Sequence, residues 1–288
     1  MELEWAARLS SPPPAESIRY DGFAMPDNKF RNRWALVTGA SAGIGMALAR
    51  ELSKHGAKVI LTARRHDRLE KLAAEFAAAG TETRIVVADL NDSAAPQQIY
   101  DATEGAGLTV DILINNAGLG QFGPFIAGNV EQELSQVRVN CEAVVRLSRL
   151  FVPRMVERRR GWMLVVASTA SYQPIPYLNT YAATKVFDRF FAQGLAAEVA
   201  GQGVVVTTLC PGPTESEFFE VSRSRVSDRS RQSAEEVSRL GIRGLERGKL
   251  TVIPNFTGHV GSMAVRFLPV GFVVRTIERV IRAKRLSG

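Results

Sequence analysis

Two groups of residues in this 288-residue chain could do chemistry. Tyr181 and Lys185, in Tyr181-Ala182-Ala183-Thr184-Lys185, are four positions apart and share a face if the segment is helical. A phenol with an unperturbed pKa near ~10 moves protons poorly at neutral pH. A neighbouring ammonium favours the phenolate and lowers that pKa, so the pair would form a proton-transfer centre. Taken alone, the same spacing also describes an ordinary exposed helix face.

The second group is Thr38-Gly39-Ala40-Ser41-Ala42-Gly43-Ile44-Gly45. It follows the apolar stretch Ala35-Leu36-Val37-Thr38 and opens a helical stretch running to about Lys54. Glycines allow a tight turn and let the backbone approach a ligand. The helix N-terminus that follows presents unpaired N–H groups and positive dipole character, which suit a pyrophosphate. The spacing is G-x-x-x-G-x-G rather than G-x-G-x-x-G, so it is the strand–turn–helix context that points to a dinucleotide. At the end of the next strand an acidic residue would bind a ribose 2′-hydroxyl and repel a 2′-phosphate. The sequence there reads Thr62-Ala63-Arg64-Arg65, and Arg64 offers a permanently charged planar fork suited to phosphate. NADP(H) is therefore expected over NAD(H), unless Arg64 and Arg65 are only surface charges opening a loop.

These groups need elements to position them, and the chain supplies a regular alternation. Apolar strands are expected at Ala35–Thr38, Lys58–Thr62, Arg84–Ala88, Asp111–Ile114, Trp162–Ala167, Val204–Leu209 and Thr251–Ile253. Helices are expected from Asp67, as cap with Glu70 as its box partner, to Ala79, and from about Val130 to Arg158 and Tyr181 to Ala200. Strands that are continuously apolar rather than alternating indicate a parallel sheet buried on both faces. The fold class is thus α/β, a doubly wound, Rossmann-like parallel sheet in a single domain of about seven strands.

Residues 1–30 read as an N-terminal extension: Pro12, Pro13 and Pro14 are consecutive and no sustained periodicity appears, though a short helix over Leu3–Leu9 is conceivable. Residues 31–256 form the catalytic domain, with a lid near 214–235, where the stretch Glu215–Gln232 is polar, rich in Ser and Arg, and carries Phe218 and Phe219. Residues 257–288 are a basic amphipathic segment in which Pro269 and Gly271 are expected to break any helix.

Composition narrows the class. Hydrophobic residues make up 45% and charged residues 23%, enough for a sizeable core. Cys141 and Cys210 are too few for a disulfide scaffold, and His55, His66 and His259 lie too far apart for a local zinc motif. A reduced, cytoplasmic, metal-free protein is expected. The net charge of +7 fits solvated helix faces and an anionic ligand, and no nucleic-acid recognition motif accompanies it. Met1–Trp5 carry two Glu and no basic residue, so no secretory signal is expected, and no run of 18 apolar residues suggests a transmembrane helix. The basic tail leaves peripheral membrane contact open beside packing on the core or a partner subunit.

Taken together, Thr38–Gly45, Asn115-Asn116-Ala117-Gly118, Ser168, Tyr181 with Lys185, and Pro211-Gly212 resemble the short-chain dehydrogenase/reductase family in order and spacing, over about residues 33–255. The resemblance implies that Gly39, Ser41, Gly43, Ile44 and Gly45 line the cofactor's pyrophosphate and adenosine. It matches Asp89 and Leu90 to the adenine contact, and Asn116, Ala117 and Gly118 to the cofactor's ribose. It matches Pro211, Gly212 and Thr214 to the nicotinamide carboxamide. Asn140, Ser168, Tyr181 and Lys185 become the catalytic set, with Tyr181 and Lys185 also touching cofactor. Ser216 stands where many members have threonine and its role is unassigned. The family's habit of pairing helices across subunits implies a homodimer or homotetramer.

The expected activity is hydride transfer between NADP(H) and a ketone or secondary alcohol, with Tyr181 as acid/base. The alternatives are a non-catalytic NADP-binding regulator or scaffold, and a sugar-nucleotide epimerase or dehydratase. Gly120, Gln121, Phe122, Gln173, Pro174, Ile175 and Pro176 flank the expected site and suggest a partly hydrophobic small-molecule substrate, though ordinary packing would account for them as well.

Overall fold

The computed structural model describes residues 29–215, 217, 231–255, 260–261 and 264–286. Seven strands form one parallel sheet in the order β3-β2-β1-β4-β5-β6-β7. They are β1 (Trp34–Thr38), β2 (Lys58–Ala63), β3 (Thr83–Val87), β4 (Val110–Asn115), β5 (Gly161–Val166), β6 (Val204–Leu209) and β7 (Thr251–Val252). The expected doubly wound α/β sheet is what the chain adopts. The strand order reverses between β1 and β4, and in such sheets the crevice beyond the carboxyl ends at that switch point is where ligands bind.

Successive strand residues feed two separate cores. Ala35, Val37, Val59, Leu61, Ile112, Ile114 and Leu164 pack beneath α1 (Gly43–Lys54), α2 (His66–Ala78) and α7 (Ala234–Glu246). Leu36, Ile60, Leu113, Met163, Val165 and Val206 face α3 (Ala95–Asp101), α5 (Ala143–Glu157) and α6 (Asn179–Glu198). Burial on both faces is why β1 and β5 read as near-continuous apolar runs, while β4 and β6 bury the polar residues Asp111, Asn115, Thr207 and Thr208 among their apolar ones.

Several local expectations change. Asp67 does not cap α2; Arg65 is the N-cap residue and Asp67 lies in the first turn, where its charge still favours the helix dipole. The stretch expected as one helix from Val130 to Arg158 is α4 (Val130–Val137), a π-helical turn (Arg138–Glu142) and α5. Gly271 does not break the tail: Pro269 precedes α8 (Val270–Leu286), and Gly271 lies within its first turn.

Residues 1–28, with the expected Leu3–Leu9 helix, lie outside the described residues, as do Ser216, Phe218, Phe219 and the rest of 218–230. Phe30, the last residue assigned to the extension, is fully buried and packs edge-on against Trp162 at 5.5 Å. Thr214 and Gln232 bridge the two ends of the region read as a lid. No helix among the described residues is long and apolar enough to cross a membrane. No cluster of metal-ligating side chains occurs among them either.

Candidate active site

A cavity of about 1040 Å³ opens at the carboxyl ends of β1 and β4. Its floor is the glycine turn. Gly39 has φ +67, a left-handed conformation, and a Cβ there would sit 2.9 Å from Asn116 Nδ2 and 3.0 Å from Ala117 Cα. Thr38 locks this turn to β4: its hydroxyl donates to the Ile114 carbonyl (3.1 Å) and accepts from the backbone N–H groups of Asn116 and Ala117 (3.0 Å each). Asn116 Nδ2 donates back to the Thr38 carbonyl at 2.8 Å. The Asn116-Ala117-Gly118 segment is thereby held against the turn.

α1 begins at this turn with Ala42 as N-cap, no side chain capping it and no acidic residue in its first turn. Its leading N–H groups face the cavity with positive dipole character uncompensated by side chains, the arrangement a pyrophosphate needs. Arg64, Asp89, Leu90, Pro211, Gly212 and Thr214 line the same cavity. The volume of the cavity and the uncapped start of α1 within it suit a dinucleotide. Asp89 also forms a turn, its carboxylate accepting from Asn91 N–H at 3.0 Å.

The basic end differs from the sequence expectation in one respect. Arg64 is largely exposed and lies 3.9 Å from the Asp89 carboxylate. Arg65 is the more constrained arginine. Its Nε and Nη2 donate to Ser41 Oγ at 3.3 and 3.0 Å, and its Nη1 donates to Glu217 Oε2 at 2.7 Å. Arg68 pairs with the other oxygen of Glu217. The hydrogen bonds from Arg68 and Arg65 hold the Glu217 carboxyl below its usual range.

The opposite end carries the groups expected to transfer a proton. Tyr181 and Lys185 lie on α6, one turn apart, and Ser168 follows β5 as cap of a 3₁₀ turn, accepting from Ala170 N–H at 3.1 Å. All three line the cavity. The Tyr181 phenol is raised by burial, against the opposing pull of the Lys185 charge and a hydrogen bond with Ser168. Lys185 Nζ donates to the Val166 carbonyl (2.8 Å) and to Asp188 Oδ2 (2.9 Å). Burial works against this ammonium, but the charges of Asp188 and Tyr181 hold its pKa above the ordinary lysine range.

Asn140 lies behind the cavity wall, in the π turn. Its Oδ1 accepts from Leu119 N–H (2.8 Å), and its Nδ2 donates to the Leu119 carbonyl (2.9 Å) and to Thr184 Oγ1 (2.8 Å). π turns often mark functional positions in helices. Gly118 lies beside both Asn140 and the lysine: a Cβ there would lie 3.4 Å from Lys185 Nζ and 3.5 Å from Asn140 Oδ1.

Two neighbours of these groups were not anticipated. The first is α8, whose Val280 and Ile281 line the cavity and whose Glu278 accepts from Tyr177 Oη at 3.5 Å. The second is Asp188; its position three residues after Lys185 was readable, but its burial was not.

Residues 33–227 match the family model described as short chain dehydrogenase. The very-long-chain 3-oxoacyl-CoA reductase of Anas platyrhynchos is 31% identical over 262 residues, which make up 88% of this chain and 82% of that protein. The human protein of the same name is 37% identical over 187 residues, 62% of this chain, and the match spans 58% of its own length. The NADP-dependent 3-hydroxy acid dehydrogenase YdfG of Salmonella typhi is 31% identical over 82% of this chain and 94% of its own. Among solved structures, a short-chain dehydrogenase from Sphingobium yanoikuyae in complex with NADPH superposes with a TM-score of 0.75 at 28% identity, over 81% of this chain and 92% of that one. Sheet order, glycine turn and matched span agree, and the chain belongs to the short-chain dehydrogenase family of oxidoreductases.

Proposed function

We propose that this protein is an NADP(H)-dependent oxidoreductase that transfers hydride between nicotinamide and a ketone or secondary alcohol bearing a large apolar group. The observation that carries this function is the meeting of Ser168, Tyr181 and Lys185 with the glycine turn in one cavity. The bound nicotinamide would supply or accept the hydride. Ser168 would donate a hydrogen bond to the carbonyl oxygen, and Tyr181 would deliver the proton to that oxygen during reduction or remove it during oxidation. Lys185 would favour the phenolate and hold ribose hydroxyls together with the Asn116–Gly118 segment. Asn140, whose carbonyl oxygen can accept a second hydrogen bond, would hold a water that returns a proton towards Lys185.

The apolar reach beyond these groups comes from Leu119, Phe122, Ile175, Leu178, Val280 and Ile281. Several relatives are named for 3-oxoacyl-CoA or hydroxysteroid substrates. A 3-oxoacyl thioester with a long chain is thus the first compound to test, followed by bulky ketones. Consumption of NADPH by such a ketone, followed by absorbance, tests the activity. No turnover with any ketone or secondary alcohol, despite tight NADPH binding, would favour a non-catalytic binding role.

The preference for NADPH is assigned to Arg65, fixed by Ser41, with Arg64 beside it. Charge-assisted hydrogen bonds contribute about 1.5–3 kcal/mol, so Arg65→Ala should weaken NADPH binding about ten- to hundredfold while NADH changes little. Arg64→Ala should cost less, because nothing pre-orients that side chain so firmly. Equal losses for both cofactors in Arg65→Ala would remove the 2′-phosphate role. We also place the enzyme in the cytoplasm as a homodimer or homotetramer. Both described cysteines are free thiols, and Leu134, Val137, Phe187 and Phe190 on α4, its C-terminal end and α6 are exposed apolar side chains available to a second copy.

A further inference from the structure

The Tyr181–Lys185 centre contains a third charged group. Asp188, one turn along α6 from Lys185, is completely buried. Its Oδ2 accepts from Lys185 Nζ at 2.9 Å, and its Oδ1 has no hydrogen-bond partner among the described residues. A buried carboxylate with half its acceptor capacity unused is costly. A hydrogen-bonding or apolar residue could fill this helix position without that cost. Nothing else in α6 needs the charge: Arg189, the adjacent cation, donates to the Ser171 carbonyl and stacks on Tyr172 and Phe190.

We propose that Asp188 is a positioning residue that counterbalances the Lys185 ammonium, so that Tyr181 keeps its proton at neutral pH and the enzyme is set for carbonyl reduction. This deepens the proposed oxidoreductase function and rests on it.

The charges around the phenol support this. Burial is the largest influence keeping the Tyr181 phenol protonated; Lys185 and a hydrogen bond with Ser168 draw it towards phenolate, and the Asp188 carboxylate, paired with that lysine, adds to the effect of burial. The remaining titratable neighbour, Cys141 in the π turn, is raised to about 12 by burial and by the Asp188 charge, so it stays a neutral thiol. Lys185 and Asp188 are therefore the charged groups that act on the phenol, on top of the burial that already raises it. A reductase needs the phenol protonated when the carbonyl arrives, whereas a dehydrogenase gains from phenolate. An ammonium without a counter-ion would favour the second state. With the carboxylate 2.9 Å from Nζ, the pull of the ammonium is reduced and the burial of the phenol favours the first.

Asp188→Asn tests this, because it removes the charge and keeps the shape. The ionisation of Tyr181 is read from the pH profiles of kcat in both directions. In Asp188→Asn the rise of alcohol oxidation with pH should begin about one unit or more lower, the size expected when a paired charge is removed. Ketone reduction should begin its alkaline decline correspondingly earlier. Thermal melts and NADPH titration establish that the variant is folded, and Asp188→Leu repeats the test if the amide variant is not. Profiles that do not move, or that move to higher pH, would overturn the proposal; the latter would mean that Asp188 serves to keep Lys185 charged. Tyr181→Phe separates this failure from that of the underlying function. If Tyr181→Phe is inactive while Asp188→Asn leaves the profiles in place, only the role of Asp188 falls.

Discussion

Tyr181→Phe should lower turnover by about 10²–10⁴-fold on any substrate the wild type accepts, the usual loss when a positioned proton donor is removed. The substitution is conservative everywhere except at the hydroxyl. The ring would remain in place with Lys185 Nζ 5.9 Å from its centroid. Lys185 would keep its bonds to the Val166 carbonyl and Asp188, neither of which involves the phenol. NADPH affinity should therefore stay near the wild-type value, and the loss should appear in kcat rather than in cofactor binding. This pattern identifies a group needed in the transition state. Lys185→Met should behave differently. It would leave the Asp188 carboxylate buried without its partner and remove a contact proposed for ribose, so turnover, cofactor affinity and stability should fall together. Turnover of Tyr181→Phe close to that of the wild type would refute the assignment of the proton donor.

Much of this candidate site is legible in the sequence, for reasons that differ from residue to residue. The strands could be read because both sheet faces are covered: Gly161–Val166 is buried at every position, and its sequence is apolar throughout. The glycine turn was legible because strand, turn and helix are contiguous in the chain. Ser168 and Asn140 are remote from Tyr181 in sequence, and only the family resemblance pointed to them. The π turn was hidden, since residues 138–142 continue the helical pattern on either side. α7 was missed although its signals were present. Ser233 and Glu236 have capping-box spacing, Ser233 Oγ accepts from Glu236 N–H at 3.2 Å, and Val237, Ile242 and Leu245 mark one apolar face. α3 offered little, being seven residues long with no side-chain cap. Arg64 and Arg65 are adjacent and chemically identical. What separates them is a partner 24 positions away, Ser41, which no local spacing reveals. Asp188 sits at an obvious i+3 position, but on an exposed helix it would be one more surface ion pair worth little. Its meaning comes from burial.

The second large effect should come from a substitution that touches no reacting group. Gly45 lies in the first turn of α1 against the Asn116 side chain, and a Cβ there would run into the Gly39 carbonyl oxygen and Asn116 Nδ2. Neither is the free end of a flexible chain. The carbonyl belongs to the left-handed turn, and Asn116 Nδ2 is already bonded to the Thr38 carbonyl at 2.8 Å. Gly45→Ala must therefore push α1 away from β4 or break the tie between Thr38 and Asn116. Overpacking of this kind costs about 1–3 kcal/mol, or about 2–4 °C of Tm per kcal/mol in a domain this large. The displacement would also move the uncapped N–H groups at the start of α1 relative to the Asn116–Gly118 segment. Both are proposed to hold one dinucleotide, so affinity for NADH and NADPH should fall together by roughly tenfold or more. That shared loss distinguishes the turn from Arg65, whose removal should discriminate between the cofactors. Gly194→Ala on α6 is the matched control: a Cβ there meets nothing within 4 Å, and alanine in an exposed helix interior should gain up to about 1 kcal/mol. If Gly45→Ala melts and binds nucleotide like Gly194→Ala, then close approach of α1 to the turn is not what builds the cofactor site.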